Sequence, residues 1–171
     1  MFGVSYMAEC IPATATEPGI VRWDDLDYIE RRIKEIKEKC RWCIVVSHGG
    51  EEFTSLPSPY TRDRYLKFLE LGADVVVGGH PHVTENYELF DDGKAIFYSL
   101  GNFIFDTDYQ RVHLYTDEGV LLKLKFTEEK MDFEGFVNFF SGKIACKSRE
   151  EAKKLYYVFL GENDFTKDLS V

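Results

Sequence analysis

The chain has 171 residues and a net charge of -9, which argues against nucleic acid as a partner because phosphate binding needs a basic face. Its 44% hydrophobic and 15% aromatic content is typical of a globular protein, and the length favours a single domain over residues 1–171. No run approaches the roughly 18 apolar residues that cross a bilayer, and the N-terminus lacks the layout of a signal peptide. We therefore expect neither a signal nor a transmembrane segment in this chain.

The first half of the chain alternates between apolar runs and segments of helical periodicity. Asp24 or Asp25 can cap the first helix, and Gly72 suits the left-handed position that follows the second. This β-α-β-α-β order predicts parallel strands joined by right-handed crossovers. The predicted strands cover residues 2–7, 43–47 and 74–77. The first predicted helix starts after Asp24 or Asp25, and the second covers residues 62–71.

The second half has a different pattern. A tight turn at residues 91–94 joins two short apolar runs, which indicates a hairpin. Residues 107–118 are polar with interspersed aromatic side chains and are predicted to form a loop. Further strands are predicted over residues 119–126 and 131–140, and a last helix over residues 149–160.

The third strand leads directly into His80-Pro81-His82. Proline favours an extended backbone at the residue before it, so the i, i+2 spacing is expected to turn both imidazoles to one side. His48 comes after the second strand in the same way. Because α/β proteins hold ligands at the carboxyl ends of their strands, the three histidines are candidate metal ligands. The alternative is that His80 and His82 are exposed loop residues.

Carboxylates near these histidines would complete a metal site, and the candidates are Glu51, Glu52 and Asp106. Imidazole suits zinc, iron, nickel and copper, whereas carboxylate suits magnesium and manganese. A mixed set of ligands therefore does not fix the metal.

Three longer motifs carry a resemblance to a known family. Residues 48–53 read HGGEEF, residues 72–83 read GADVVVGGHPHV, and residues 98–106 read YSLGNFIFD. In this order and spacing they resemble the bacterial capsule synthesis protein CapA family, also called the poly-gamma-glutamate capsule biosynthesis family. That family is related to the calcineurin-like metallophosphoesterases, and the resemblance extends over about residues 2–126.

The resemblance implies an α/β fold of the metallo-dependent phosphatase type, an αββα sandwich with the metal site at the strand ends. It implies divalent metal ions, either Mn, Fe or Zn, and two of them in the full-length protein. Such ions orient a phosphate and lower the pKa of a bridging water. The implied metal-ligating and catalytic residues are His48, His80 and His82. Residues that would support these ligands or contact substrate are Glu52, Asn102 and Asp106, although Asn102 is also typical of a turn.

The chain also departs from the family pattern. The family's first motifs, a Gly-Asp, an acidic segment and an Asn-His, have no counterpart here, so we expect a C-terminal portion of such a protein, with its motifs within residues 43–106 and the N-terminal part of the fold missing. Gly49 stands where the family has tryptophan, Gly79 where a histidine is frequent, and Glu85 where glutamine is common. Three histidines alone cannot complete a dinuclear site.

These residues leave three functional hypotheses open. The first is a metal-dependent hydrolase of the phosphoesterase type in capsule or poly-gamma-glutamate biosynthesis, completed by the missing segment and acting on a small-molecule or polymer substrate. The second is a non-catalytic binding or scaffold component of a cell-envelope polymer synthesis assembly, with capsule-synthesis proteins as partners. The third is a truncated product whose bare sheet edge favours aggregation or self-association.

Overall fold

The computed structural model describes residues 1–6, 10–103 and 107–139. The predicted helix over residues 149–160 and the candidate Asp106 lie outside the described residues. The strands are β1 (Phe2–Ser5), β2 (Ile44–His48), β3 (Val75–Gly79), β4 (Tyr87–Leu89), β5 (Ala95–Phe97), β6 (Glu118–Phe126) and β7 (Met131–Phe139). The helices are α1 (Leu26–Lys37), α2 (Pro59–Glu70) and α3 (Asp108–Arg111).

Two sheets make up the β structure. The larger sheet has the order β1-β2-β3-β5-β4, in which β1, β2, β3 and β5 are parallel and β4 is antiparallel to β5. The smaller sheet is the antiparallel hairpin β6-β7. The chain is therefore a mixed α/β protein with a largely parallel sheet, and the predicted β-α-β-α-β order is confirmed.

The helices begin where their capping residues allow. Asp25 caps α1, and its carboxylate accepts a hydrogen bond from the Tyr28 N–H. The helix predicted over residues 62–71 starts earlier, at Pro59, because Ser58 caps it and a proline at the first helical position loses no hydrogen bond. The prediction of a loop over residues 107–118 was wrong in part, since this segment contains α3.

The third strand, predicted to end at residue 77, extends through Gly78 and Gly79, which both lie within β3. Gly78 packs against the backbone carbonyl of Tyr98, and a Cβ there would overlap that carbonyl. Glycine is needed at this position because the neighbouring backbone comes too close for any side chain. The strand therefore continues as far as Gly79, directly before His80.

Each face of the large sheet has a different cover. The two long helices bury one face, where Ile29 and Ile33 of α1 and Tyr65 and Phe68 of α2 pack against the strands with at most 1% exposure. The β6-β7 hairpin covers the other face over β3 and β5. Val46 of β2 points to the same side as the hairpin and remains 39% exposed, so part of this face is open.

Among the described residues, no helix has the length and apolar character that a bilayer crossing requires.

A buried carboxyl group lies under the loop after β2. Glu85 is only 5% exposed, and its Oε1 accepts a hydrogen bond from the Thr54 hydroxyl at 3.3 Å. Its Oε2 has no hydrogen-bond partner among the described residues. Burial raises the pKa of Glu85 from its ordinary 4.5 to about 7, and the negative charge of Glu51 adds to this effect.

This raised pKa predicts a specific pH dependence of stability. Because the folded state keeps a proton that the unfolded state has released, the contribution of Glu85 is present below pH 4.5 and is lost as the pH rises through about 7. The loss amounts to about 3 kcal/mol of unfolding free energy. We expect Glu85→Gln to remove it, so that the variant gains stability over the wild type between pH 5 and pH 8.

Urea unfolding of both proteins across this pH range measures the difference. The exposed Glu128→Gln is the matched control, and we expect its unfolding free energy to follow that of the wild type at every pH. If the unfolding free energies of the wild type and of Glu85→Gln change with pH in parallel, the assignment of a buried, protonated Glu85 is contradicted.

Candidate metal centre

The three predicted histidines meet at one edge of the large sheet. β2 ends at His48 and β3 ends one residue before His80, so the two side chains leave neighbouring parallel strands at the same level. Their ring centroids are 5.1 Å apart, and the ring of His82 lies 5.8 Å from that of His80. The structure thus brings together side chains that are up to 34 positions apart in the sequence.

The backbone at this edge is unusual. The prediction of an extended backbone at His80 was wrong, because its φ is 107° and that of His82 is 62°. Phe53, opposite them, also has a positive φ of 61°, and its N–H donates to the Pro81 carbonyl at 2.9 Å. Positive φ is unfavourable for these residue types and persists only where the surroundings impose it, which happens most often at functional sites.

Glu52 provides a carboxylate between two of the imidazoles. Its Oε1 lies 3.8 Å from Nε2 of His80 and 3.9 Å from Nε2 of His82, and the three donor atoms are all within 4.8 Å of one another. Ligands that each lie about 2.1 Å from one ion are roughly 3–4 Å apart, so these separations fit a shared cation. Glu51 is not part of this group, because its carboxylate accepts a hydrogen bond from Thr61 of α2.

His48 lies beside this group and not within it. Among the described residues, the donor atoms that converge are those of Glu52, His80 and His82. Loss of hydration, together with the neighbouring His82, lowers the pKa of His48. A lowered pKa favours the neutral imidazole, which is the form that binds metals.

Asn102 fixes the orientation of His82. Its Oδ1 lies 2.8 Å from Nδ1 of His82, and its Nδ2 donates to the Thr116 carbonyl at 2.9 Å. Because the amide nitrogen faces a carbonyl, the amide oxygen must face the imidazole, so Nδ1 of His82 carries the proton. Nε2 then presents a lone pair on the side of Glu52. Asn102 is 7% exposed, so the hydrogen bonds of this amide are shielded from competing water.

Sequence reasoning missed an aromatic group beside the centre. His113 is half-buried and stacks on Phe53, with ring centroids 3.7 Å apart and planes inclined by 3°. Tyr109 of α3 donates a hydrogen bond to Oε2 of Glu52 at 3.5 Å. Aromatic residues in the predicted loop were the only signal, because a helix of four residues is too short to show periodicity.

Comparison with known proteins gives a family and two named relatives. The sequence profile of the family described as Bacterial capsule synthesis protein PGA_cap matches residues 4–107. The chain is 38% identical over 99 residues to the PGA biosynthesis protein CapA of Bacillus subtilis (strain 168), which covers 58% of this chain and 26% of the relative. It is 35% identical over 103 residues to the Capsule biosynthesis protein CapA of Bacillus anthracis, covering 58% of this chain and 25% of the relative. The match therefore spans about a quarter of each relative's length.

The hydrogen bond from His82 to Asn102 can be tested by exchanging the amide. In the metal-free wild type at pH 8, we expect His82 to hold its proton on Nδ1. In Asn102→Ala the acceptor is gone, so the proton should redistribute toward Nε2, the tautomer that free imidazole prefers. Nitrogen-15 chemical shifts of the imidazole ring report the tautomer directly.

Asn102→Asp keeps an acceptor oxygen and should keep the proton on Nδ1. The exposed Asn86→Ala is the matched control and should leave the His82 spectrum unchanged. The tautomer assignment is refuted if Asn102→Ala and the wild type give the same imidazole shifts.

Proposed function

Because the chain belongs to the bacterial capsule synthesis protein family PGA_cap, we propose that it holds a divalent metal ion and acts as part of a metal-dependent hydrolase of the phosphoesterase type in capsule polymer synthesis. The observation that supports this most is the convergence of Glu52, His80 and His82 at the end of a parallel sheet. Poly-gamma-glutamate is the polymer that the relative's name suggests, and we include it in the proposal.

The residues fit such an ion by their chemistry. Two imidazole nitrogens and one carboxylate oxygen suit Mn, Fe or Zn, and Asn102 orients one of the imidazoles as ligating histidines usually require. Once bound, the ion would act as a Lewis acid on a phosphoryl oxygen and make water more acidic. His48 lies at the adjacent position, where its neutral ring can accept a proton or contribute to a second ion's ligand set.

We also propose that the fold belongs to the αββα sandwich of the metallo-dependent phosphatases. Helices cover one face of the large sheet and a second β layer, β6-β7, covers part of the other. This α/β/β layering matches three of the four layers of such a sandwich. We propose that a second copy or a capsule-synthesis partner associates at the open face around Val46 or at the start of the β1 edge. The end of that edge is not available, because Ser5 already pairs with Val21 and Trp23.

A non-catalytic binding or scaffold role is the second candidate. The observation that favours it is the size of the ligand set, because only three donors converge among the described residues. A two-metal hydrolytic site needs further oxygen ligands and a bridging group. The two candidates differ in whether the centre binds metal at all and whether it turns over substrate.

Metal binding by the purified chain tests the centre itself. We expect calorimetric titration with Mn²⁺ or Zn²⁺ to show one site per chain. Affinity should fall more than about tenfold in His82→Ala and in Glu52→Gln, since each removes a donor atom. Glu51→Gln is the matched control: it changes the neighbouring carboxylate, which bonds to Thr61, and should bind as the wild type does. A wild type that takes up no metal would contradict the proposal.

Hydrolysis of an aryl phosphate by the full-length protein with Mn²⁺ tests the chemistry. We expect the rate of p-nitrophenol release to drop by at least about 100-fold in His80→Ala, because a ligand nitrogen is lost, whereas Glu51→Gln should keep the rate. If the wild type binds Mn²⁺ and still releases no product, the hydrolase assignment is wrong and the binding role replaces it.

A further inference from the structure

A second group of side chains borders the metal centre on the side of β1. Tyr6 comes directly after β1, and its N–H donates to the His48 carbonyl at 2.9 Å. The ring of Trp23 lies against Gly49, where a Cβ would be 3.0 Å from the nearest ring carbon. The group reaches from these contacts to the first turns of α2. Its members, which we call the arginine-aromatic cluster, are Tyr6, Arg22, Trp23, Tyr60 and Arg64.

The aromatic members form a supported platform. Trp23 is 1% exposed and stacks on Tyr6, with ring centroids 4.8 Å apart and planes inclined by 10°. Tyr60 packs against the same indole at 5.9 Å and against Tyr6 at 6.1 Å. Tyr6 and Tyr60 keep 41% and 47% exposure. One buried ring therefore holds two exposed rings in place, which is an arrangement that binding sites use.

The two arginines of the cluster differ in how their charges are used. Arg22 lies over Tyr6 and forms two parallel hydrogen bonds with Asp24, at 2.9 and 2.7 Å, so its charge is already paired. Arg64 lies over Tyr60, with 5.7 Å from its Cζ to the ring centroid; it makes no direct ion pair with any described residue, although its charge helps to lower the pKa of Asp24. Its Nε is buried and has no hydrogen-bond partner in the part of the chain that the structure describes.

An external oxyanion cannot reach the enclosed Nε, but it can reach the two terminal nitrogens of the guanidinium, which are not enclosed and donate to no described residue. The planar guanidinium matches a carboxylate or a phosphate in shape and charge. The two arginines of the cluster, together with Asp24 beside them, carry a net charge of +1, in a chain whose net charge is -9. This local excess of positive charge would hold an anion that the rest of the surface repels.

We propose that Arg64, with the rings of Tyr6 and Tyr60, forms a binding subsite for an anionic, oxyanion-bearing group beside the metal centre. This inference rests on the proposed function, because it describes the substrate of the proposed hydrolase. That substrate would be an anionic chain that passes His48 at the edge of the sheet. The binding itself needs no metal. The oxyanion would be a carboxylate if the substrate is a glutamate polymer, or a phosphate if it is a phosphoester.

Titration of the metal-free chain, followed by calorimetry and amide NMR, tests the subsite. The probes are a γ-linked glutamate pentamer, the same pentamer with its carboxylates amidated, and inorganic phosphate. We expect the anionic pentamer to bind and the amidated one not to bind, with shifts at Tyr6, Tyr60 and Arg64. If the natural ligand of the subsite is a carboxylate, the pentamer should bind more tightly than phosphate. If it is a phosphate, phosphate should bind more tightly than the pentamer. Either order supports an oxyanion subsite.

Arginine variants distinguish binding at this subsite from a general attraction of anions to positive charge on the chain. Arg64→Gln should weaken binding more than about tenfold, and Arg64→Lys should recover part of it through its charge. The matched control is Arg41→Gln, because Arg41 also lies over an aromatic ring, Trp42 at 5.6 Å, but precedes β2 at the opposite end of the strand. Circular dichroism verifies that each variant is folded.

Unchanged affinity in Arg64→Gln, equal loss in Arg41→Gln, or no binding of either anion at about 10 mM would overturn the proposal. The result that would refute the subsite differs from the result that would refute the proposed function. Arg64→Gln should keep the metal affinity of the wild type, so loss of anion binding with metal binding intact supports the subsite. A chain that binds the anion and no metal would refute the hydrolase and leave the subsite standing.

Discussion

The parallel register between β2 and β3 is the constraint on which the candidate centre depends. His48 pairs with Gly79 in that register, and the Gly49 N–H donates to the Gly79 carbonyl at 3.0 Å, so the two strands end together. The register in turn depends on burial, because a slip of one residue would move Val45 from the helix side of the sheet to the other. The hydrophobic core therefore places the imidazoles side by side.

The loops after β2 and β3 convert this proximity into a preorganised set of donors. His80, His82 and Phe53 have backbone conformations with positive φ, and the hydrogen bond from the Phe53 N–H to the Pro81 carbonyl joins the two loops. Asn102 then selects the imidazole nitrogen that faces Glu52. Unfavourable backbone energy at a cluster of potential ligands is expected where function, and not stability, has selected the geometry. The arginine-aromatic cluster extends the same edge of the sheet with a positive charge and exposed rings.

Much of this fold could be predicted from the sequence, and the reasons for success and failure differ from residue to residue. β-branched runs and capping residues located β2, β3 and α1, because those signals are local. The φ of His80 could not be predicted, because packing overrides the local preference that Pro81 imposes. The choice of Glu52 over Glu51 depends on which way the loop turns after Gly50. The role of Asn102 depends on Thr116, which lies 14 positions away.

The central claim is that His80 and His82, with Glu52, bind one ion. Anomalous diffraction from crystals grown with Mn²⁺, recorded on both sides of the manganese edge, tests it most directly. We expect a manganese peak about 2.1–2.3 Å from Nε2 of both histidines and from a carboxylate oxygen of Glu52. No peak at this edge of the sheet, or a peak bound to other residues while these two rings stay without metal, would contradict the claim.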